Sequence, residues 1–561
     1  MIHRSLRASW FRTLAPLLLV TLVTSAGFSY GVMVGRYQFF PFRYVAPAGE
    51  MAKSLLRPDE SPTSRNVIES TFVRVTRSTF DPAKYAVLAG KGGALTMVAD
   101  DILGVDAKGQ FFLYRKGGDM RLLDLRVPMN NEAFEDYVAA HTTDSRLSAG
   151  LTEFFRVLDM DVRERDRTLE IYVLHNFWLP GAAAKTVRLS KLELSGVSEL
   201  ADAEAHDHDW DTVYDSQPFI SYDESPFSPF RISHTGGRIA FDHEGGVLIG
   251  LGNHAYGESA NALAASQDDA SSYGKILRID PVTSRPQIFA RGIRNPQGLL
   301  LAEDGTLWET EHGPQGGDEL NIIERGQNYG WPLVTYGTDY GRSVWPLSRE
   351  QGRHHGYRAP VFAWLPSIGV SNLIELTNAP ATWKGDLLIA SLRAKELSRL
   401  RLEDGRVVFA ETLDVGTRVR DLIELRDGTI VLWTDTPAVI ELHLDEGGLS
   451  DTILDRLTAK ERALGLAEIV TGCRQCHDLR AGAGSASGPS LWGVVGRKIA
   501  HSPYPHYSAA LKQQSGVWDY DRLWKYLSNP QGFAPGTTMP DPRLDREDVL
   551  TGLIEVLGRL E

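Results

Sequence analysis

A mainly β chain, built as a six-bladed propeller with a small all-α domain behind it and a transmembrane helix in front, is the fold class that three features of this sequence predict. Strand-length apolar segments recur around tight acidic or glycine turns. A C-x-x-C-H motif sits in a stretch of helical texture near the C-terminus, and an uncharged apolar run follows three arginines near the N-terminus. Composition is that of a globular protein, with 42% hydrophobic and 23% charged residues, and 561 residues leave room for several domains. The net charge of -13 argues against general nucleic-acid or anionic-membrane binding through bulk electrostatics; a small electron acceptor or a neutral substrate fits better.

Residues 1–35 carry the address. Arg4, Arg7 and Arg12 precede a stretch from Thr13 to Gly35 that includes Leu17, Leu18, Leu19, Val20, Leu22 and Val23, long enough to cross a hydrocarbon core of about 30 Å. Positive charge stays cytoplasmic, so the bulk of the chain is expected on the periplasmic side of a bacterial inner membrane, anchored by this helix. A cleaved signal peptide, with Thr24-Ser25-Ala26 as its site, is the alternative. Residues 36–85, with Pro58, Pro62 and Ser64 and weak periodicity, read as a linker.

Residues 86–445 hold the recurring signal. Ile102 to Tyr114 turns around Asp106-Ala107-Lys108-Gly109, Ile239 to Gly250 around Gly245, Leu299 to Trp308 around Gly305, and Leu422 to Trp433 around Gly428. Each reads as a β-hairpin. The interval from Gly245 to Gly305 recurs, nearly doubled, from Gly109 to Gly245 and from Gly305 to Gly428, so a hairpin is due midway in both gaps. Val157 to Leu174 and Leu373 to Ala390 supply them. Six units at a long, even period predict six blades; a sandwich or two stacked β domains would be the simpler reading of the strands alone.

Residues 460–561 change texture. Leu457 to Ile469, Tyr507 to Gln514 and Asp519 to Leu527 look helical, and Leu550, Leu553, Ile554 and Leu557 follow an i, i+3, i+4, i+7 pattern in a last helix opened by Asp545 and Asp548. Cys473, Cys476 and His477 carry the chemistry, because C-x-x-C-H is the attachment pattern of haem c: on one helical face two thiols bond the haem edge while the imidazole ligates iron. These are the two cysteines of the chain. A zinc site would need further ligands, and a redox C-x-x-C would leave the adjacent His unexplained.

From Cys473 to Met539 the sequence resembles class I cytochrome c, through Gly488-Pro489-Ser490-Leu491-Trp492-Gly493, Gly496-Arg497, Tyr507-Ser508, Trp518 and Gly536-Thr537-Thr538-Met539. The resemblance implies His477 as proximal ligand, Met539 as distal ligand, and the Pro489 carbonyl accepting from the His477 ring N–H. His501 or His506 as sixth ligand is the rival.

Between Arg291 and Trp331 lies the densest cluster of candidate site residues. Arg294 and Asn295 precede one strand, and a glycine-rich acidic loop, Glu311-His312-Gly313-Pro314-Gln315-Gly316-Gly317-Asp318-Glu319, follows the next. Its carbonyls and carboxylates suit a hard cation such as calcium, although Gly and Asp also make ordinary turns. Together with Ser233-His234-Thr235-Gly236-Gly237-Arg238, Asn328-Tyr329-Gly330-Trp331-Pro332 and Thr417-Arg418-Val419-Arg420-Asp421, this pattern resembles the soluble glucose and sorbosone dehydrogenases, six-bladed propellers that bind pyrroloquinoline quinone and calcium. The resemblance implies His234 as general base and Arg294 and Asn295 at the quinone and substrate. His312, Arg393, Arg418 and Arg420 would lie around the cofactor, and the Gly313 and Pro314 carbonyls on its calcium. A second calcium would take Glu319, Tyr329 and Asp339. The sequence departs from the family at Ser233, where Asp is usual. It also offers Phe154-Phe155-Arg156 where an early-blade Gln is expected.

Chemically, an imidazole of pKa near ~6.5 can take a hydroxyl proton at working pH, while calcium and Arg294 stabilise the oxyanion that develops on the quinone. The expected function is oxidation of an aldose, polyol or aldehyde, with electrons passing to the fused haem c and on to an external acceptor, a cytochrome or a respiratory-chain component. The alternative is a non-catalytic propeller that binds glycan or protein and carries the cytochrome as a relay. A metal-only propeller such as a lactonase would leave the haem unexplained.

Overall fold

The computed structural model describes residues 66–560, less the stretches 71–72, 81–84, 204–208, 224–229, 231–233, 256–264, 341–343, 446–452, 454–456 and 480–487 and positions 166, 349, 351, 475, 503, 505 and 545. The expected transmembrane segment, Ser233 and Asp545 lie outside the described residues. No helix among those described is long and apolar enough to cross a membrane.

Two short strands, β1 (Asn66–Glu69) and β2 (Arg74–Thr79), come first. Blade 1 is β3 (Gly93–Val98), β4 (Asp101–Asp106), β5 (Gln110–Arg115) and β6 (Asp119–Arg126). A helical hairpin follows, α1 (Asn131–His141) and α2 (Ser145–Phe154), the second capped by Asp144 on the Arg146 and Leu147 N–H groups. Blade 2 is β7 (Val157–Arg165), β8 (Thr168–Leu179), β9 (Ala184–Leu194) and β10 (Asp211–Asp215), with β11 (Ile220–Ser221) also on β9. Blade 3 is β12 (Gly236–Phe241), β13 (Val247–Leu251), β14 (Lys275–Ile279) and β15 (Pro286–Arg291). Blade 4 is β16 (Pro296–Leu301), β17 (Leu307–Glu311), β18 (Asp318–Ile322) and β19 (Phe362–Trp364). Blade 5 is β20 (Val370–Glu375), β21 (Leu387–Ser391), β22 (Glu396–Glu403) and β23 (Arg406–Asp414), and blade 6 is β24 (Val419–Glu424), β25 (Ile430–Thr434) and β26 (Val439–Asp445).

The innermost strands β3, β7, β12, β16, β20 and β24 each pack on the next, and β24 returns to β3. The ring of six blades is therefore closed. Its seal comes from the N-terminal side: β2 pairs with β26 from Arg74↔Asp445 to Thr79↔Ile440 and completes blade 6, with β1 outside it. Part of the expected linker 36–85 is thus blade. A short polar strand such as Arg-Val-Thr-Arg-Ser-Thr finds its partner far away in sequence and carries little local signal.

The core sits between blades. Apolar clusters fill the joints of blades 1 and 2 around Phe111 and Val173, 2 and 3 around Leu174 and Ile249, 3 and 4 around Ile276 and Ile293. Others fill 4 and 5 around Leu320 and Ile389, 5 and 6 around Trp383 and Leu432, and 6 and 1 around Trp433 and Phe112. Each blade is thus covered on both faces, so β21 and β25 are buried at every position and read as continuous apolar runs rather than alternations. Every fully buried Leu, Ile or Val contributes about 1.5–3 kcal/mol. Five of the predicted hairpins join an innermost strand to its neighbour. The first, at Asp106 to Gly109, joins β4 to β5 instead, because the blade 1 turn at Ala99-Asp100 has no glycine to mark it.

The C-terminal domain is helical: α3 (Ala459–Ala463), α4 (Leu466–Arg474), α5 (Ala509–Gln513), α6 (Tyr520–Ser528), α7 (Pro530–Phe533) and α8 (Glu547–Leu557). Thr458 and Glu461 form a reciprocal capping box on α3. Gly465, at φ 78, breaks the expected single helix into α3 and α4. The predicted stripe of α8, Leu550, Leu553, Ile554 and Leu557, is buried against Leu466, Val470 and Leu523.

On the propeller axis, Arg238 of β12 joins the blades. Its guanidinium donates to Asp159 Oδ1 at 3.0 Å (blade 2), to the Gln297 carbonyl (blade 4) and to the Arg420 carbonyl at 3.1 Å (blade 6). Asp421 Oδ1, 3.7 Å away, accepts from Asn372 of blade 5, and its Oδ2 accepts from Leu95 N of blade 1. Removing one partner of a buried ion pair leaves an uncompensated charge and costs about 3–5 kcal/mol. Arg238→Met is expected to lower propeller stability by about that amount, read as the urea midpoint of tryptophan fluorescence, and a second change, Asp159→Asn, to restore part of it.

Candidate functional site

Antiparallel pairing puts the head of each innermost strand beside the tail of its neighbour. At this end the fold gathers Gly92, Arg156, His234, Arg294, Asn295, Gly369 and Arg418 before the innermost strands, and Asn253, His254, His312, Gly313, Arg393 and Asp435 after the second ones. In blades 2 to 6 the innermost strand also carries one extra residue near its head, between Val157 and Asp159, Gly236 and Arg238, Pro296 and Gly298, Val370 and Leu373, and Val419 and Asp421. Bulges of this kind re-aim side chains. Gln297 and Arg420 are two of the residues so inserted. Gly237, at φ 106, is another, and a Cβ there would lie 2.4 Å from Leu158 Cβ, so only glycine lets blades 2 and 3 meet.

Arg294 is the joint of the site. One terminal nitrogen donates to the His312 carbonyl at 3.0 Å and the Gly313 carbonyl at 2.9 Å; the other lies 3.3 Å from His234 Nε2 and 3.4 Å from Tyr340 Oη. A guanidinium has only donors, so His234 Nε2 carries the lone pair. The Arg294 backbone N–H is held by Glu311 Oε2, as is that of Asn295. Asn295 is committed at both ends, accepting from Gly236 N at 3.0 Å and donating to His312 Nδ1 at 3.2 Å. His312 Nε2–H in turn donates to the Val370 carbonyl at 2.7 Å. His312 is therefore a positioning residue whose two nitrogens both face protein, and burial pushes its pKa down to about 4.

Arg418 and Arg420 converge on one carboxylate, Asp435, at 2.6 Å and 2.7 Å. Burial would raise Asp435, but the two arginines hold it below the ordinary carboxylate range. Arg420 is buried while the Arg418 side chain is 47% exposed and faces solvent at the mouth. Arg393, exposed, packs its Cβ over Gly369.

The acidic loop of blade 4 is tightly built. A Cβ on Gly313 would come 2.2 Å from the Gly317 carbonyl, and Asp318 accepts from Gly313 N and Gly369 N. Pro314 is buried beside it. Glu311 and Glu319 are directly opposed across β17 and β18, next to Glu309 and Asn321. Burial first, then mutual repulsion, pushes Glu309 and Glu319 well above the usual carboxylate range. Glu309 Oε1 and Asn321 Oδ1 are buried without a hydrogen-bond partner among the described residues. Tyr329 Oη donates to the Ile322 carbonyl at 2.5 Å, Glu319 lies 3.6 Å from His354 Nε2, and Asp339 follows the bridge between Gln315 and Thr338. Among the described residues no three His, Cys, Asp or Glu side chains converge as metal ligands.

In the helical domain, α4 ends at Arg474 and the motif continues as a turn in which His477 N donates to the Cys473 carbonyl at 3.0 Å. Cys473, Cys476, His477 and Met539 line one cavity with Leu491, Tyr526 and Leu553. His477 Nδ1 donates to the Pro489 carbonyl at 2.7 Å, which leaves Nε2 bare for iron. Burial pushes the Cys473 thiol up to about 11.

Residues 108–440 match the model of the glucose/sorbosone dehydrogenase family. Aldose sugar dehydrogenase YliI of Escherichia coli K12 is 32% identical over 262 residues, 43% of this chain and 65% of that protein. Cytochrome c of Cochliobolus lunatus is 42% identical over 87 residues, 15% of this chain and 81% of that protein. The chain belongs to the glucose/sorbosone dehydrogenase family, and its C-terminal segment to that of cytochrome c. The crystal structure of the soluble aldose sugar dehydrogenase of Escherichia coli shares the fold, with a TM-score of 0.50 at 22% identity, over 66% of this chain and 99% of that one. The match to YliI spans just under two thirds of that relative's length.

The structure brings Arg294, Asn295 and His234, named from the sequence of this glucose/sorbosone dehydrogenase family member, to one place, through contacts the sequence did not indicate. The holding roles of Asp435, Glu311 and Val370 were missed, each lying in another blade or at a strand tail; an acid directly after an apolar strand, as at Asp435, is the faint signal available. The buried His312 gives a testable sign. Its folded-state pKa of about 4 lies below the unfolded value of about 6.5, so between these pH values the unfolded chain binds the proton first and stability is lost as pH falls. The urea midpoint of the wild type is expected to drop more than that of His312→Gln between pH 7 and pH 4.5.

Proposed function

We propose that the propeller oxidises an aldose, polyol or aldehyde with pyrroloquinoline quinone and that the electrons leave through haem c on the same chain. The observation that carries this reading is Arg294, held by the His312 and Gly313 carbonyls with its other terminal nitrogen on His234 Nε2. That arrangement pairs a lone pair able to take a hydroxyl proton with a fixed cation beside the reacting carbon.

The residues present fit the cofactors. Arg393 and Arg418 offer guanidinium donors to the carboxylates of the quinone, with Arg420, its fork held by Asp435, adding positive charge beside them. The Gly313 and Pro314 carbonyls suit its calcium, and opposed Glu311 and Glu319, beside unpartnered Glu309 Oε1 and Asn321 Oδ1, are a surplus of buried acceptors that a hard cation would relieve. Because the Tyr329 hydroxyl is engaged, a second calcium with Glu319 and Asp339 would take the Tyr329 carbonyl. Bound quinone supplies a two-electron acceptor, calcium an electrophile beside it, and haem a one-electron outlet. His234 Nε2 accepts the substrate hydroxyl proton; Arg294 orients the substrate oxygen, and Asn295 and His312 keep Arg294 and His234 in register. Cys473 and Cys476 would bind haem covalently, and His477 and Met539 would ligate its iron. An external cytochrome or respiratory-chain component takes the electrons onward, on the periplasmic side if residues 1–35 act as the exported anchor.

The test is sugar-dependent dye reduction by the haem-loaded protein across aldoses, polyols and aldehydes. Activity is expected only with both quinone and calcium added, and His234→Ala is expected to lower kcat by about 10²–10⁴. Activity that is indifferent to quinone, or unchanged in His234→Ala, would contradict the reading.

A further inference from the structure

Three cationic or imidazole side chains at the mouth have no part in that chemistry. Arg156 opens β7, with its backbone N–H on Asn176 Oδ1 at 3.1 Å and one terminal nitrogen on the Lys91 carbonyl at 2.6 Å. Its stem crosses Gly92, where a Cβ would come 3.0 Å from Arg156 Cδ. Lys185, near the start of β9, is 6% exposed; its Nζ donates to the Phe230 carbonyl at 2.8 Å and lies 4.6 Å from the Phe230 ring centre. It has no carboxylate partner among the described residues. His254 is fully buried with its ring edge-on to Tyr273, and neither ring nitrogen has a hydrogen-bond partner among the described residues. Its backbone N–H donates to the His234 carbonyl at 3.0 Å, and Asn253 N donates to the Arg294 carbonyl at 2.9 Å. The loop bearing His254 is therefore pinned to the general base and to Arg294.

These groups form an arc. The charge of Arg156 is felt at Lys185 and that of Lys185 at His254; Arg156 is also within electrostatic range of Arg420 and Asp435. Asp435 is already shared by Arg418 and Arg420. Blade 2 thus presents at Lys185 a buried ammonium with no carboxylate partner among the described residues, and desolvation drives its pKa down to about 7. Burying an ammonium this way is costly unless an anion arrives. A neutral sugar would leave it unmatched, whereas an anionic oxygen group would accept charge-assisted bonds from Lys185 and Arg156.

Resting on the dehydrogenase reading, we infer that the substrate is an aldose carrying an anionic oxygen group, seated against Arg156 and Lys185 with His254 bonding a neighbouring hydroxyl. The group is a carboxylate, as in a uronate, or a phosphate ester. The overall net charge, which favoured a neutral substrate, does not report this local arc.

The test uses the full chain loaded with haem, quinone and calcium, with D-glucuronate, D-glucose 6-phosphate and D-glucose as substrates. At least one anionic sugar is expected to exceed glucose in kcat/KM by about tenfold or more, and the better of the two identifies the group. Lys185→Met and Arg156→Gln are expected to remove the preference and Arg156→Lys to keep it, with unfolding midpoint and haem spectrum checking the fold. Glucose equal to or better than both anionic sugars would overturn the inference. So would variants that weaken quinone binding in a titration while leaving the sugar ratio unchanged, since the arc would then serve the cofactor. If no sugar is oxidised, the dehydrogenase reading fails, and calorimetric binding of the anionic sugars decides the inference separately: binding lost in Lys185→Met supports the site, and no binding to the wild type overturns it.

Discussion

The charge on Arg238 is the constraint from which the rest of the propeller follows. Closing six blades brings six innermost strands to a common axis, and that axis cannot be filled by a single blade's side chains. Here one guanidinium and two carboxylates, Asp159 and Asp421, reach strands of every blade, directly or through Leu95 N and Asn372. In a low-dielectric interior such a network is strong when complete and costly when broken. It also sets the site. Arg238 lies two residues from Gly236, whose N–H is held by Asn295, so the axial pin and the His234–Arg294 geometry share one stretch of β12.

Function sits where topology leaves it. Strand heads and tails meet at one end of each blade, and the bulges there turn out residues such as Gln297 and Arg420 without disturbing the apolar joints below. Arg294 is rigid because its backbone and side chain are both held, by Glu311 and by the His312 and Gly313 carbonyls. The buried carboxyl groups of blade 4 and the buried Lys185 of blade 2 sit on two sides of the mouth, which is the kind of preorganisation that binding and catalysis draw on.

How far the sequence reveals this depends on range. Hairpins are local, so five of the six blade-forming turns were legible from apolar runs and glycine turns; the sixth was out of phase because Ala99-Asp100 lacks the glycine mark. The haem motif is local too, and Cys473, Cys476, His477, Pro489 and Met539 come together as their pattern implied. What could not be read was pairing between distant segments. The closure by β2, the bond of Asp435 to two arginines and the meeting of Arg156, Lys185 and His254 all join residues whose spacing is set by the ring. The α1–α2 hairpin was hidden for another reason: its buried residues are few, chiefly Phe134, Val138 and Leu151, and its amphipathic stripe is correspondingly thin.

Sugar oxidation and haem reduction are proposed to occur within one chain. Stopped-flow mixing of the quinone- and calcium-loaded, oxidised protein with substrate measures it most directly, by following haem reduction over a range of protein concentrations without added acceptor. A first-order rate that does not change with protein concentration, and is lost in His234→Ala, is the predicted result. A rate that rises in proportion to protein concentration, or a haem that stays oxidised while sugar is consumed, would contradict it.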